Sequence, residues 1–205
     1  MSEEELLSKE IVSSVAIVLT FIAFIPYIRS IRQGTCKPHV VSWAVWGSSA
    51  FVVFLAQLAD KGGAGAWPIG VSGIISLYIA VLAVHAAKKT SDCSVTKVDA
   101  VILVVAIGAL PFWYVTSNPL WAVLILTTID VAGFGPTFRK AYTHPHEEPV
   151  LFYLILVARN LLVLIALEHY SYTTVVFPAV VAVVCIVFVT MVVCRRRQQP
   201  NTTLL

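Results

Sequence analysis

Two formal charges, Asp130 and Arg159, stand inside otherwise apolar stretches of this 205-residue chain. Near the centre of a hydrocarbon layer each costs about 2.5 to 3.5 kcal/mol, so both are expected to face a cavity or a partner. Asp130 lies six residues before Pro136 and Arg159 nine residues after Val150. At the helical rise this puts them about 9 Å and about 13 Å from the same face of the layer. Opposite charges at comparable depth on consecutive helices read as a pair, serving either to tie helices together or to bind a solute. Asn160 follows Arg159, and Tyr153, seven residues before Asn160, shares its helical face. Trp46 and Ser49 are neighbours at i and i+3, with Ser42 one turn before Trp46. Together these side chains offer an aromatic wall and hydrogen-bonding groups to a small polar solute. The packing reading of the same residues makes Asn160 an interhelical contact and Trp43 and Trp46 belt or lipid-facing groups. Thr127 and Thr128 are expected to bond back to their own helix carbonyls.

The elements that must position these residues follow from composition. The chain is 59% hydrophobic and 12% charged, against roughly 25% charged for a soluble domain, which excludes an ordinary water-soluble fold. Apolar runs bounded by charged, Gly or Pro clusters predict seven membrane helices at 11–28, 40–58, 67–87, 98–115, 119–138, 150–168 and 173–194. Residues 1–10 are acidic where a cleavable signal would be basic, so they read as an extracytoplasmic segment and the first span as a retained helix. The loops 29–39, 88–97 and 139–149 and the tail 195–205 hold eleven of the fourteen Lys and Arg residues, and the opposite side holds Lys9 and Lys61. The positive-inside rule then puts the N-terminus outside and the C-terminus in the cytoplasm of a plasma (inner) membrane, as an odd number of spans demands. The net charge of +3 is explained by this sorting, which removes nucleic acid as a partner. Trp67, Trp113, Tyr114 and Trp121 fall at outer span ends, where amphipathic rings anchor in the headgroup layer. Cys36, Cys93 and Cys194 lie toward the cytoplasmic side and Cys185 inside a span, so disulfides are not expected. The Asn201–Thr203 sequon is likewise on the wrong side for glycosylation.

A shift of 110 residues superposes spans 1–3 on spans 5–7 and leaves span 4 as a linker. It matches Phe24 with Phe134, Pro26 with Pro136, Arg29 with Arg139 and Pro68 with Pro178. One intervening helix makes the two repeats, 11–90 and 119–194, parallel. At the same offset Asp130 corresponds to Thr20 and Arg159 to Ser49, which places four polar positions on equivalent faces of helices 1, 2, 5 and 6.

Through Pro26-Tyr27-Ile28-Arg29 with Lys37-Pro38, and Pro136-Thr137-Phe138-Arg139 before His144-Pro145, the chain resembles the PQ-loop family and its SWEET sugar-transporter relatives over about residues 11–194. The resemblance implies an all-α integral membrane fold of seven helices in a 3+1+3 arrangement, as in bacterial membrane proteins of this type. Tyr27 and Thr137 stand where the family's glutamine would be, and Ile69 and Ala179 follow the prolines that a sugar-contacting asparagine follows in SWEET proteins. Pro26 and Pro136, with Gly133 and Gly135, are expected to act as cytoplasmic hinges.

The leading functional reading is a small-solute transporter or facilitator that works by alternating access between the two bundles. Its site comprises Asp130, Arg159, Asn160, Trp46, Ser49, Tyr153 and Thr20, and Asp130 is a candidate for proton coupling. Its partners are then a small polar solute, protons and the bilayer, with self-association left open. The alternative is a non-transporting receptor or sorting protein on the same scaffold, as in KDEL receptors. Span 7 has no lysine for retinal, and the spans hold no Ser-His, paired-carboxylate or His/Glu metal constellation, so neither an opsin nor an enzyme is expected. No cofactor is expected, and the proline-broken run from His144 to Glu148 is a poor metal site.

Overall fold

The structure, a computed structural model, describes residues 2–34, 40–90, 113–147 and 150–198 and the single positions 101, 104, 108 and 111. Cys36, Lys37, Pro38, Cys93, Lys97, Glu148 and the Asn201–Thr203 triplet lie outside the described residues. The described chain forms α1 (Glu3–Arg32), α2 (Val40–Ala59), α3 (Trp67–Thr90), α4 (Pro119–Thr143), α5 (Val150–Ala166) and α6 (Tyr172–Gln198), with 3-10 turns at Gly63–Ala66 and Pro145–Glu147. These six helices match the expected spans 1–3 and 5–7. Within the fourth expected span, positions 101, 104, 108, 111 and 113–115 are helical too. Among the described residues five helices are long and apolar enough to cross a membrane, and α5 is a shorter apolar helix. An all-helical chain of this kind is compatible with a multi-pass membrane protein.

The helices overrun their apolar spans where polar ends help them. Ser2 Oγ accepts the Glu5 N–H at 3.2 Å and Glu3, Glu4 and Glu5 occupy the first turn of α1, where a side-chain cap and negative charge favour a helix start. Residues 3–10, read from sequence as a separate segment, are therefore the first turns of α1. Arg195, Arg196 and Arg197 extend the last turn of α6, where cations complement the helix dipole. Arg195 also lies 4.1 Å over the Tyr142 ring, and Arg196 Nε donates to the Pro145 carbonyl at 2.9 Å. Pro68 sits in the first turn of α3, so its missing N–H interrupts little of that helix, whereas Pro26 and Pro178 lie inside α1 and α6.

Within the first half α3 packs on both α1 and α2, and within the second α6 packs on both α4 and α5. Between the halves α1 meets α5 and α2 meets α4. Exchanging α1 with α4, α2 with α5 and α3 with α6 leaves these pairings unchanged. One core draws on all six helices, through Ala16, Val53, Ile69, Leu126, Val163 and Phe177. Toward the end where α1 finishes there are two more. The buried members of one, including Phe24, Trp43 and Ile79, come from α1–α3, and those of the other, Ala141, Phe188 and Val192, from α4 and α6. Outer faces stay apolar, with Ile11, Val18, Ile74, Leu151, Ile165 and Val183 exposed, as a lipid-facing surface would require.

The tightest helix contact is α2 on α3. A Cβ at Gly47 would stand 2.7 Å from the Leu77 backbone nitrogen, and one at Gly73 would stand 2.9 Å from that of Phe51. Only hydrogen fits at either place, and such small-residue contacts are how helices approach closely in lipid. Gly47→Ala and Gly73→Ala are each expected to destabilise the detergent-solubilised protein by about 1–3 kcal/mol, the usual cost of overpacking. Gly135→Ala, with nothing within 4 Å of the added methyl, should leave the thermal midpoint in place. Scanning fluorimetry of the three variants checks this, and equal midpoints would contradict the packing.

Candidate functional site

Each candidate polar residue falls on the buried stripe of its helix. On α4 the stripe is Ala122, Val123, Leu126, Thr127 and Asp130, and on α5 it is Arg159, Asn160, Val163 and Ala166. Both follow the three-and-four spacing that keeps one face inward. Thr20 on α1 and Ser49 on α2 are equally enclosed, and all four offset-related residues are more than nine-tenths buried, Asp130 being the most open at 8%. The apolar periodicity that folds these helices therefore carries the polar residues to the interior with it.

Ser49 is the polar neighbour of the Asp130 carboxyl, yet neither Ser49 Oγ nor Asp130 Oδ1 has a hydrogen-bond partner at bonding geometry. One turn along the same antiparallel α2–α4 contact, the Trp46 indole covers Gly133. A Cβ there would lie 2.9 Å from Trp46 Nε1. Gly133, expected as part of a hinge, is thus needed for close approach, while Gly135 faces open space. Arg159 Nη2 donates to Asn160 Oδ1 at 2.9 Å, and Asn160 Nδ2 donates to the Leu156 carbonyl at 2.8 Å. The guanidinium also neighbours the buried Cys185 thiol of α6, and its Nε has no partner. On α1 the Thr20 hydroxyl donates to the Ala16 carbonyl at 2.9 Å. Phe24 meets Phe152 edge-on at 6.0 Å, which sets Thr20 within about one turn of Arg159 along the α1–α5 pair.

Several expectations change. Asp130 and Arg159 do not pair with each other: their helices are consecutive in sequence, but α6 lies between α4 and α5, and the two charges turn to different neighbours. Trp46 and Tyr153 belong to one run of ring contacts, from Trp46 through Trp43, Phe24 and Phe152 to Tyr153, that crosses from the first half to the second. Trp46 packs 5.5 Å from Trp43 in the first half, whereas Tyr153 stacks 4.3 Å from Phe188 in the second. Trp43 is buried against Phe24 and Tyr27, so it is neither a belt nor a lipid-facing residue. Thr127 and Thr128 do bond back to their helix, to the Val123 and Leu124 carbonyls at 2.6 and 2.8 Å. Trp67, Tyr114 and Trp121 are exposed near helix ends. Pro26 is exposed inside α1, and Pro136 lies within α4. Cys185 was not among the expected site residues, and nothing in its spacing singles it out, because only packing brings α6 beside Arg159. Among the described residues no group of three His, Cys, Asp or Glu side chains is placed to hold a metal ion.

Compared with known proteins, the chain matches no protein-family model, no curated protein and no solved structure.

An enclosed polar atom without a partner costs about 1–3 kcal/mol, so removing the charge at Asp130 should not cost stability if the carboxyl is held for binding rather than packing. Asp130→Asn is expected to keep or raise the thermal midpoint. A fall worth more than about 2 kcal/mol in calorimetry or scanning fluorimetry would make Asp130 a structural group.

Proposed function

We propose that this chain is a small-solute membrane transporter or facilitator that works by alternating access between two three-helix bundles, α1–α3 and α4–α6, joined by a linker helix in a 3+1+3 order. The N-terminus is outside and the C-terminus cytoplasmic, in the manner of PQ-loop and SWEET-like proteins. The observation that carries this reading is that, of the four buried polar side-chain atoms without a hydrogen-bond partner among the described residues, Ser49 Oγ, Asp130 Oδ1 and Arg159 Nε lie mid-helix on helices that meet across the halves, the fourth being Gln57 Oε1 near the end of α2. A hydroxyl beside a carboxyl oxygen with neither bonded, and a guanidinium whose Nη2 bonds Asn160 while its Nε bonds nothing, leave hydrogen-bonding capacity for a polar ligand. The helix pairing that survives exchange of the halves supports parallel repeats, and the 110-residue offset relates Ser49 to Arg159 and Thr20 to Asp130 across them. The site proper is Asp130, Ser49, Arg159 and Asn160, with Trp46 at its cytoplasmic edge. Asp130 is its acidic titratable side chain and the candidate for proton coupling.

The test begins with a thermal-shift screen of purified protein against polar metabolites, followed by uptake of any hit into proteoliposomes. Wild type should take up the solute and show counterflow, while Arg159→Ala loses both the shift and at least about tenfold in uptake, the worth of one hydrogen bond to a charged group. A stoichiometric ligand without counterflow would instead favour a receptor. With proton coupling at Asp130, an imposed pH gradient changes wild-type uptake and leaves Asp130→Asn unresponsive. Identical responses exclude that coupling. Pro26→Ala with Pro136→Ala should slow transport without weakening the thermal shift, because restoring the helix bonds stiffens the bend and leaves the site intact.

A further inference from the structure

We infer that the loop after α2 and the loop after α5 form the outer gate of the solute path, closed in this structure, with Glu168 as its bolt. The inference rests on the transporter reading above for its direction, but its geometry is independent of any solute. At the end where α1 begins, the Ala64 N–H donates to Glu168 Oε1 at 2.8 Å and the Glu168 N–H donates to the Gly62 carbonyl at 3.2 Å. The carboxylate rests against the Gly63–Ala66 turn. Gly63 has φ +61, and a Cβ there would fall 1.9 Å from Glu168 Cδ, so any side chain at this position displaces the bolt.

Further bonds cross the same seam. Ser171 Oγ donates to Asp60 Oδ2, and His169 Nδ1 stands 3.0 Å from the Asp60 carbonyl. Gln57 Nε2 donates to the Thr174 carbonyl at 2.7 Å. From α1, Lys9 Nζ donates to the Leu167 carbonyl and Ser13 Oγ donates to the Ala64 carbonyl at 2.6 Å. Most of these contacts join the first half to the second. At the opposite end Arg32 bonds Tyr78 and Arg195 bonds the Tyr142 carbonyl, each within one half, and the halves meet there through Phe24 on Phe152 and Trp46 over Gly133. The end where α1 begins is therefore latched by polar bonds between the halves, whereas the opposite end joins them by ring packing. Opening requires the Glu168 carboxylate to leave its turn and the Asp60 and Gln57 bonds to break with it.

The experiment uses the full chain with Cys36, Cys93 and Cys194 replaced by Ser, in intact cells, and reads the reaction of the buried Cys185 thiol with a membrane-impermeant maleimide added outside. A parallel background with Cys185→Ser and Ser49→Cys reports from α2. Both thiols should react slowly in the parent. Glu168→Gln, Gly63→Val and Asp60→Asn should each speed the reaction about tenfold by raising the open population, while the proteins stay monodisperse in size-exclusion chromatography. Unchanged rates at both reporters in the monodisperse variants would overturn the gate. Faster labelling with no transport of any solute would leave the gate standing and remove the transporter reading. Uptake with unchanged labelling would do the reverse.

Discussion

Helices surrounded by hydrocarbon gain little by burying leucine against leucine, because the lipid is as apolar as the core, and every stable contact must come from close fit or from polar bonding. That constraint organises the bundle. Gly47 and Gly73 let the backbones of α2 and α3 touch, and α3 in turn carries α1, so the first half is assembled on a pair of glycines. The seam between the halves relies more on polar groups, concentrated in the loops 60–66 and 167–174, where water and unpaired backbone groups make hydrogen bonding possible. α5 stops at Ala166 so that Leu167–Ser171 can enter that seam. A helix continued to residue 168 would have turned the Glu168 N–H back to the Leu164 carbonyl and away from Gly62.

The interior follows a different rule. Several buried hydroxyls and an amide bond locally, as Thr20, Thr127 and Asn160 do to carbonyls of their own helices. Ser49, Asp130 and Arg159, and Gln57 near the end of α2, each keep a polar atom unsatisfied. Stability alone would replace such groups by apolar residues of similar volume, since a buried charge is costly even when paired. Their retention on helices that cross between the halves is the strongest internal argument for a binding centre, and it is independent of any resemblance.

Helix positions, the burial of Asp130 and Arg159 and the back-bonding of the threonines were legible in the sequence because each depends on hydropathy or on spacing within one helix. What could not be read was which helices touch. The Asp130–Arg159 pair fails because α6 intervenes between neighbours in sequence, and Cys185 reaches Arg159 for the same reason. The loops were illegible too. Gly62-Gly63-Ala64-Gly65 announces a turn, but only the fold shows that Glu168, more than a hundred residues away, lies against it. The acidic start of α1 was read by charge as an extracytoplasmic segment, which leaves its conformation open, and the Ser2 cap helps make it helical.

The proposed repeat also explains why the centre can discriminate. In backbone terms the α2–α4 and α1–α5 contacts are counterparts, yet the first half contributes the hydroxyls of Thr20 and Ser49 and the second half the charges of Asp130 and Arg159. One contact therefore sets a hydroxyl beside an acid, and its counterpart brings a base near a hydroxyl already committed to its own helix. On the proposed reading, a solute lying between them would meet an acidic and a basic side. In the proposed transporter, motion would follow the symmetry of the helix pairings and recognition the asymmetry of these four side chains. Rocking of the proposed bundles would then be set by the backbone pairings, and the choice of solute by side chains that the two halves do not share.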